Sequence, residues 1–199
     1  MPTQENDADL LTRISTDASA LEELYRRHVG IITGYAVRRC DQPADVVDLV
    51  AATFLAVLES AHTYKPHKGE ALPWIIGIAS RLHSNKMRRR FREFRAINRI
   101  GLRVDLTPDD IEAIEERIDS ERQSPQLTYA LSQLREPYRE ALRLVAYDGL
   151  TQTEAAQALQ ISPTTLRKRL SRARAAIKSE LGDEPIRLSA ARATGEVTR

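Results

Sequence analysis

Apolar residues recur at helical spacing along almost the whole chain. From Asp17 to Ala36, the positions Leu21, Leu24, Tyr25, His28, Ile31 and Ile32 fall near one face of a helix. Asp41-Gln42-Pro43 is a helix start with proline at the first helical position, and that helix runs to about Ser60. Its apolar set, Val46, Val47, Leu49, Val50, Phe54, Val57 and Leu58, covers more than one stripe, so more than one face must be buried. His62 to Pro73 reads as a loop because Pro66, Gly69 and Pro73 interrupt it. A further helix is expected from Trp74 to about Phe94, with Ile75, Ile78, Ala79 and Leu82 inward and Trp74 as a core anchor. No stretch alternates with period two between hairpin turns. The expected fold class is all-α.

The pattern stops between Leu106 and Pro125 and resumes at Gln126. The second helical unit breaks at Glu136-Pro137, continues to about Tyr147 and turns at Asp148-Gly149. Thr151 and Glu154 have the spacing of a capping box. Ser162-Pro163 starts another helix, the serine capping and the proline supplying its preset dihedral. Two caps so close together define a short helix, a tight turn and a longer helix. Alanines 155 and 156 let the two helices cross closely, and Ile161 can plug their shared core. In the longer helix, Leu166, Leu170, Ala173, Ile177 and Leu181 form one stripe. At about 100° per residue, Thr164, Lys168 and Ser171 lie opposite, flanked by Arg167 and Arg172.

Charge sharpens this division. Between Leu150 and Ile161 the sole charge is Glu154, whereas from Ser162 to Leu181 six basic residues face one acid, Glu180. Arg81 to Arg103 holds nine basic residues and one acid, and Asp105 to Gln123 holds eight acids and two bases. A net charge of only +2 hides this segregation, which suggests a polyanion-binding surface beside an acidic segment. On the longer helix, arginine or lysine can pair with guanine edges or phosphates, and serine or threonine with either. An ordinary amphipathic helix with a basic solvent face is the alternative. Arg81, Ser84, Asn85 and Arg88 form a second polar stripe at i, i+3, i+4 and i+7; a merely solvated face is again the alternative.

Other chemistry is sparse. The single cysteine, Cys40, excludes an intramolecular disulfide and lacks a CxxC partner. His62 and His67, with Glu59 and Glu70, match no strong metal-ligand spacing, and no phosphate-cradling glycine loop is present. No enzyme activity, metal or cofactor is expected. The N-terminus lacks the features of a secretory signal, and the apolar run Val46–Leu58 is too short for a membrane span and contains Asp48. A cytoplasmic protein without membrane insertion is expected.

The segment from Leu134 to Leu181 resembles the C-terminal helix-turn-helix domain of bacterial extracytoplasmic function sigma factors. Leu134, Arg139, Glu140, Tyr147, Gly149, Leu150, Ala156, Leu159, Ile161, Ser162, Arg169, Leu170, Arg172, Ala173 and Arg174 carry the likeness. Gln160 departs from it, because the family usually has glycine there. Upstream, "ALEELYRRHVGIITGYAVRR", "ADVVDLVAATFLAVLES" and "PWIIGIASRLHSNKMRRRFRE" resemble three helices of the family's promoter-melting domain.

The resemblance implies two small helical domains. An N-terminal bundle over residues 15–100 would bind core RNA polymerase and read and melt the −10 element. An acidic linker would span residues 101–125, either as a solubilising tether or as a nucleic-acid mimic in polymerase channels. A helix-turn-helix domain over residues 126–182 would read the −35 element, and residues 183–199 would form a disordered tail. Implied −35 contacts are Ser162, Thr164, Thr165, Arg167, Lys168, Ser171 and Arg172. Implied −10 contacts are Arg81, Ser84, Asn85 and Arg88, with Tyr64, Lys65, His67 and Lys68 in the loop that holds a flipped base. Asp45, Asp48, Leu49, Thr53 and Phe54 match the segment that meets the polymerase β′ clamp helices, although Ala51 and Ala52 replace the family's usual Gln-Glu pair. The implied partners are core polymerase through the β′ clamp helices and β flap, promoter DNA and an anti-sigma factor. A stand-alone helix-turn-helix regulator and a degenerate sigma-like interaction module remain alternative readings.

Overall fold

Asn6 opens the first helix by accepting the Asp9 backbone N–H on its side chain at 2.9 Å. The computed structural model describes residues 6–84, 112–114, 116 and 125–181, and every regular element among them is helical. They fall into two units, the first ending at residue 121 and the second beginning at residue 122.

In the first unit, α1 spans Asp7–Arg13, α2 Ala18–Val37, α3 Pro43–Ser60 and α4 Ala71–Ser84. Helix α1 goes beyond the sequence reading, which began the domain at residue 15. Leu10, Leu11 and Ile14 bury its inner side, and Asp7 ties it to α2 through Arg27 at 2.9 Å and His28 at 2.6 Å. Asp17 caps α2 by accepting the Ser19 backbone N–H at 2.9 Å, and the Ser19 hydroxyl, donating at 2.6 Å, together with that N–H holds its carboxyl below the usual range. Helix α3 starts at Pro43 as expected and packs against α2 and α4. The core draws on every helix: Leu10, Leu24, Ile32, Tyr35, Val46, Leu49, Ile75 and Ile76 are all fully buried. Burying each such aliphatic side chain stabilises by roughly 1.5–3 kcal/mol.

The segment read as a loop before α4 is more ordered than expected. Two 3-10 turns, Ala61–Thr63 and Pro66–Lys68, occupy it, and α4 begins at Ala71 instead of Trp74. Pro73 therefore lies in the first turn of α4, where its missing N–H leaves no intrahelical bond unmade. The continuation of α4 to Phe94 lies outside the described residues, as do most of the acidic segment and the tail. Within the acidic segment, residues 112–114 are helical and Ile114 is buried.

In the second unit, α5 spans Pro125–Gln133, α6 Glu136–Ala146, α7 Gln152–Ala158 and α8 Pro163–Leu181. Helix α8 is the centre of this unit and packs on α5, α6 and α7. Its stripe of Leu166, Leu170, Ala173 and Ile177 is buried, together with Leu134, Leu142, Leu144, Leu150, Ala155 and Ala156 from its neighbours. Gly149 turns the chain between α6 and α7 at φ 72, in the left-handed region that favours glycine.

Candidate nucleic-acid interface

The geometry of the α7–α8 corner follows from its caps. The Glu154 backbone N–H donates to Thr151 Oγ1 at 3.2 Å, and the Thr151 backbone N–H donates to Glu154 Oε2 at 2.7 Å. This reciprocal pair is the capping box expected from the sequence. At the other end of α7, Ile161 N–H donates to Ala156 O and Gln160 N–H to Gln157 O, each at 3.0 Å. These two bonds form a Schellman closure, with Gln160 in the left-handed position at φ 53. Ser162 then caps α8 by accepting the Thr165 backbone N–H at 3.1 Å.

Opposite the buried stripe, α8 exposes Thr164, Arg167, Lys168, Ser171 and Arg172. These expected site residues thus share the solvent side of one helix. Ser162 and Thr165 are different, because their hydroxyls meet each other at 2.8 Å and serve the cap. Arg167 Nη2 reaches Thr164 Oγ1 at 3.5 Å. Arg172 Nη1 donates to Tyr138 Oη on α6 at 2.9 Å. That hydrogen bond lowers the Tyr138 phenol pKa from its ordinary value. Sequence reasoning named neither Tyr138 nor its neighbour Arg135, and no local spacing pairs α6 with α8.

The expected sites of the first unit separate into two places. Lys65, His67 and Lys68 are exposed on the loop between α3 and α4. Tyr64 is half-buried there, its hydroxyl donating to Gly69 O at 3.0 Å and its ring 5.3 Å from that of half-buried Trp74. Burial pushes the Tyr64 phenol up. Arg81 and Ser84 are exposed near the other end of α4, separated from the loop by about 15 Å of helical rise. Asn85 and Arg88 lie outside the described residues.

Of the five residues expected on α3 to contact polymerase, Leu49, Thr53 and Phe54 are buried. Leu49 and Thr53 are 0% exposed and Phe54 is 5% exposed. Thr53 Oγ1 donates to Leu49 O at 2.7 Å, and the Phe54 ring lies 4.7 Å from that of Tyr25. These three belong to the stripe that packs the bundle, so a partner cannot reach them without unpacking it. Asp45 and Asp48 are half-exposed, beside the half-exposed apolar side chains Val47, Ala51 and Leu55.

Two helical units, one of them a capped helix-turn-helix with a basic outer face, define a DNA-binding transcription protein. The sigma-70 region 2 family matches residues 24–93, and the sigma-70 region 4 family matches residues 125–177. The RNA polymerase sigma factor CarQ of Myxococcus xanthus is 31% identical over 164 residues, covering 82% of this chain and 90% of that protein. The ECF RNA polymerase sigma factor SigK of Mycolicibacterium vanbaalenii is 28% identical over 181 residues, covering 90% and 91%. Two solved structures share the fold. One is CnrH in complex with the cytosolic domain of CnrY, with a TM-score of 0.57, 24% identity, and coverage of 88% of this chain and 96% of that one. The other is the sigma factor RpoE in complex with the anti-sigma factor NepR from Bartonella quintana, with a TM-score of 0.55, 18% identity, and coverage of 82% and 99%. The chain belongs to the extracytoplasmic function sigma factors. It is an alternative sigma factor that binds RNA polymerase and directs transcription initiation.

Proposed function

We propose that the two units divide promoter recognition between them. The second unit reads the −35 element through α8, with Thr164, Lys168 and Ser171 toward the major groove and Arg167 and Arg172 beside it. It also meets the polymerase β flap. The first unit binds the β′ clamp helices through α3, using Asp45, Asp48 and the half-exposed apolar positions between its turns. Its α3–α4 loop holds an unpaired −10 base through Lys65, His67 and Lys68, with Tyr64 bracing the loop. Arg81, Ser84, Asn85 and Arg88 extend that contact along the strand. The protein acts in the cytoplasm and reaches the nucleoid through polymerase. An anti-sigma partner is supported by the NepR complex of the similarly folded RpoE.

The observation that carries the −35 reading is the exposed Thr164–Lys168–Ser171–Arg172 face opposite the fully packed stripe of α8. Affinity of the reconstituted holoenzyme for promoter DNA tests it. Lys168→Ala or Arg172→Ala should each weaken upstream binding by about 1–3 kcal/mol if the residue makes a specific contact. No change in either variant would mean that the face is merely solvated.

A further inference from the structure

Arg172 is exposed on α8, but its direction is set by α6. Its Nη1 donates to Tyr138 Oη at 2.9 Å across 34 residues of sequence. The Arg172 guanidinium carbon also lies 5.9 Å from the Tyr138 ring centroid. Arg135, the N-cap residue of α6, brings a second guanidinium carbon within 5.8 Å of the same centroid. One half-buried phenol therefore collects two exposed arginines from different elements. Both distances lie within the range where a cation is attracted to an aromatic ring.

The arrangement matters because a free arginine carries about 2 kcal/mol of rotamer entropy that binding must otherwise remove. A tyrosine has only two side-chain torsions and restrains its partner at low entropic cost. Position matters as well. Residues in the N-terminal turns of a recognition helix reach base edges. Arg172 lies in the third turn of α8 and is drawn toward the supporting helix. A guanidinium held there fits a phosphate oxygen of the DNA backbone better than a base edge. The Tyr138 hydroxyl accepts from Arg172 and keeps its own proton to donate.

We propose that Tyr138 is a positioning residue for promoter binding, presenting Arg172, and with it Arg135, to backbone phosphates beside the recognition helix. The proposal rests on the −35 reading above and deepens it. Arg172 then contributes affinity without base preference, while Lys168 and the polar residues near it are left to read sequence.

The test is a double-mutant cycle on holoenzyme binding to promoter DNA, measured over a salt series. Arg172→Ala should weaken binding at least about fivefold, equally for promoters with altered −35 bases, and lower the salt slope by about one. Tyr138→Phe, which keeps the ring and removes the hydroxyl, should weaken binding about two- to threefold, less than Arg172→Ala, because the exposed guanidinium loses its restraint but keeps its charge. In the Arg172→Ala background, Tyr138→Phe should change nothing. Tyr138→Ala should cost more than Tyr138→Phe, with thermal unfolding recorded to set aside loss of the fold. If Arg172→Ala leaves affinity intact, the −35 role of Arg172 fails and this proposal fails with it. If Arg172→Ala weakens binding but Tyr138→Phe does not, the −35 role stands and the positioning role of Tyr138 is overturned. An equal effect of Tyr138→Phe with and without Arg172 also overturns it, because Tyr138 would then act independently.

Discussion

Gln160 holds a left-handed backbone at φ 53, where a β-carbon costs roughly 1–2 kcal/mol. Glycine avoids that strain but loses more entropy on folding, by about 0.5–1 kcal/mol. Gln160→Gly should therefore stabilise the second unit by about 0.5–1 kcal/mol and leave DNA binding unchanged. Thermal denaturation of the full chain measures the gain, and a loss of stability would contradict the Schellman reading of this turn. Cys40 allows a second check at this scale. Burial pushes its thiol up to about 12, with Asp45 and Asp41 adding to the shift. A raised thiol pKa keeps the unreactive neutral form, so Cys40 should resist a thiol reagent at pH 8 until the protein is denatured. Rapid labelling of the native protein would contradict that. The departure at Gln160 was visible in the sequence, but its dihedral was not. Tyr138 was not legible, since its hydrogen bond is made with Arg172 on α8, 34 residues away.

The periodicity of α2, α3 and α8 was readable because each helix spans several turns and buries a continuous stripe. Helix α1 escaped because its seven residues are too few to establish a period, and its burial depends on α2. The early start of α4 escaped because Pro73 looked like a loop marker, although proline is tolerated in a first helical turn. Helix α3 shows a different limit. The family resemblance pointed to α3 as a whole, but it did not distinguish its half-exposed side chains from those packing the bundle. That distinction gives opposite phenotypes. Leu49→Ala should destabilise the first unit by about 2–5 kcal/mol, as expected for a fully buried leucine. Asp45→Asn should cost no more than about 1 kcal/mol of stability, the loss of one carboxylate from a first helical turn, and weaken co-purification with core polymerase. A strongly destabilised Asp45→Asn or a thermally silent Leu49→Ala would contradict the assignment of faces.

The whole molecule is organised by segregated charge. Its net charge is only +2, yet the run from Arg81 to Arg103 and the outer face of α8 are strongly basic, while residues 105–123 are acidic. Phosphate contacts of this kind make affinity fall steeply with salt. Under the proposed division of labour, one chain that carries both units would bind its promoter more tightly than either unit by itself. A stand-alone regulator with this helix-turn-helix would instead be expected to bind two-fold symmetric sites as a dimer, without polymerase. Among the described residues, no helix is long and apolar enough to cross a membrane. The most direct test is run-off transcription by purified core RNA polymerase on a genomic fragment library, with and without this protein, mapping the transcript starts. The expected result is a set of starts that appear only with the protein, share upstream elements near −10 and −35, and weaken when Lys168 or Arg172 is replaced by alanine. An active core that gives no new starts with the protein present would contradict the account.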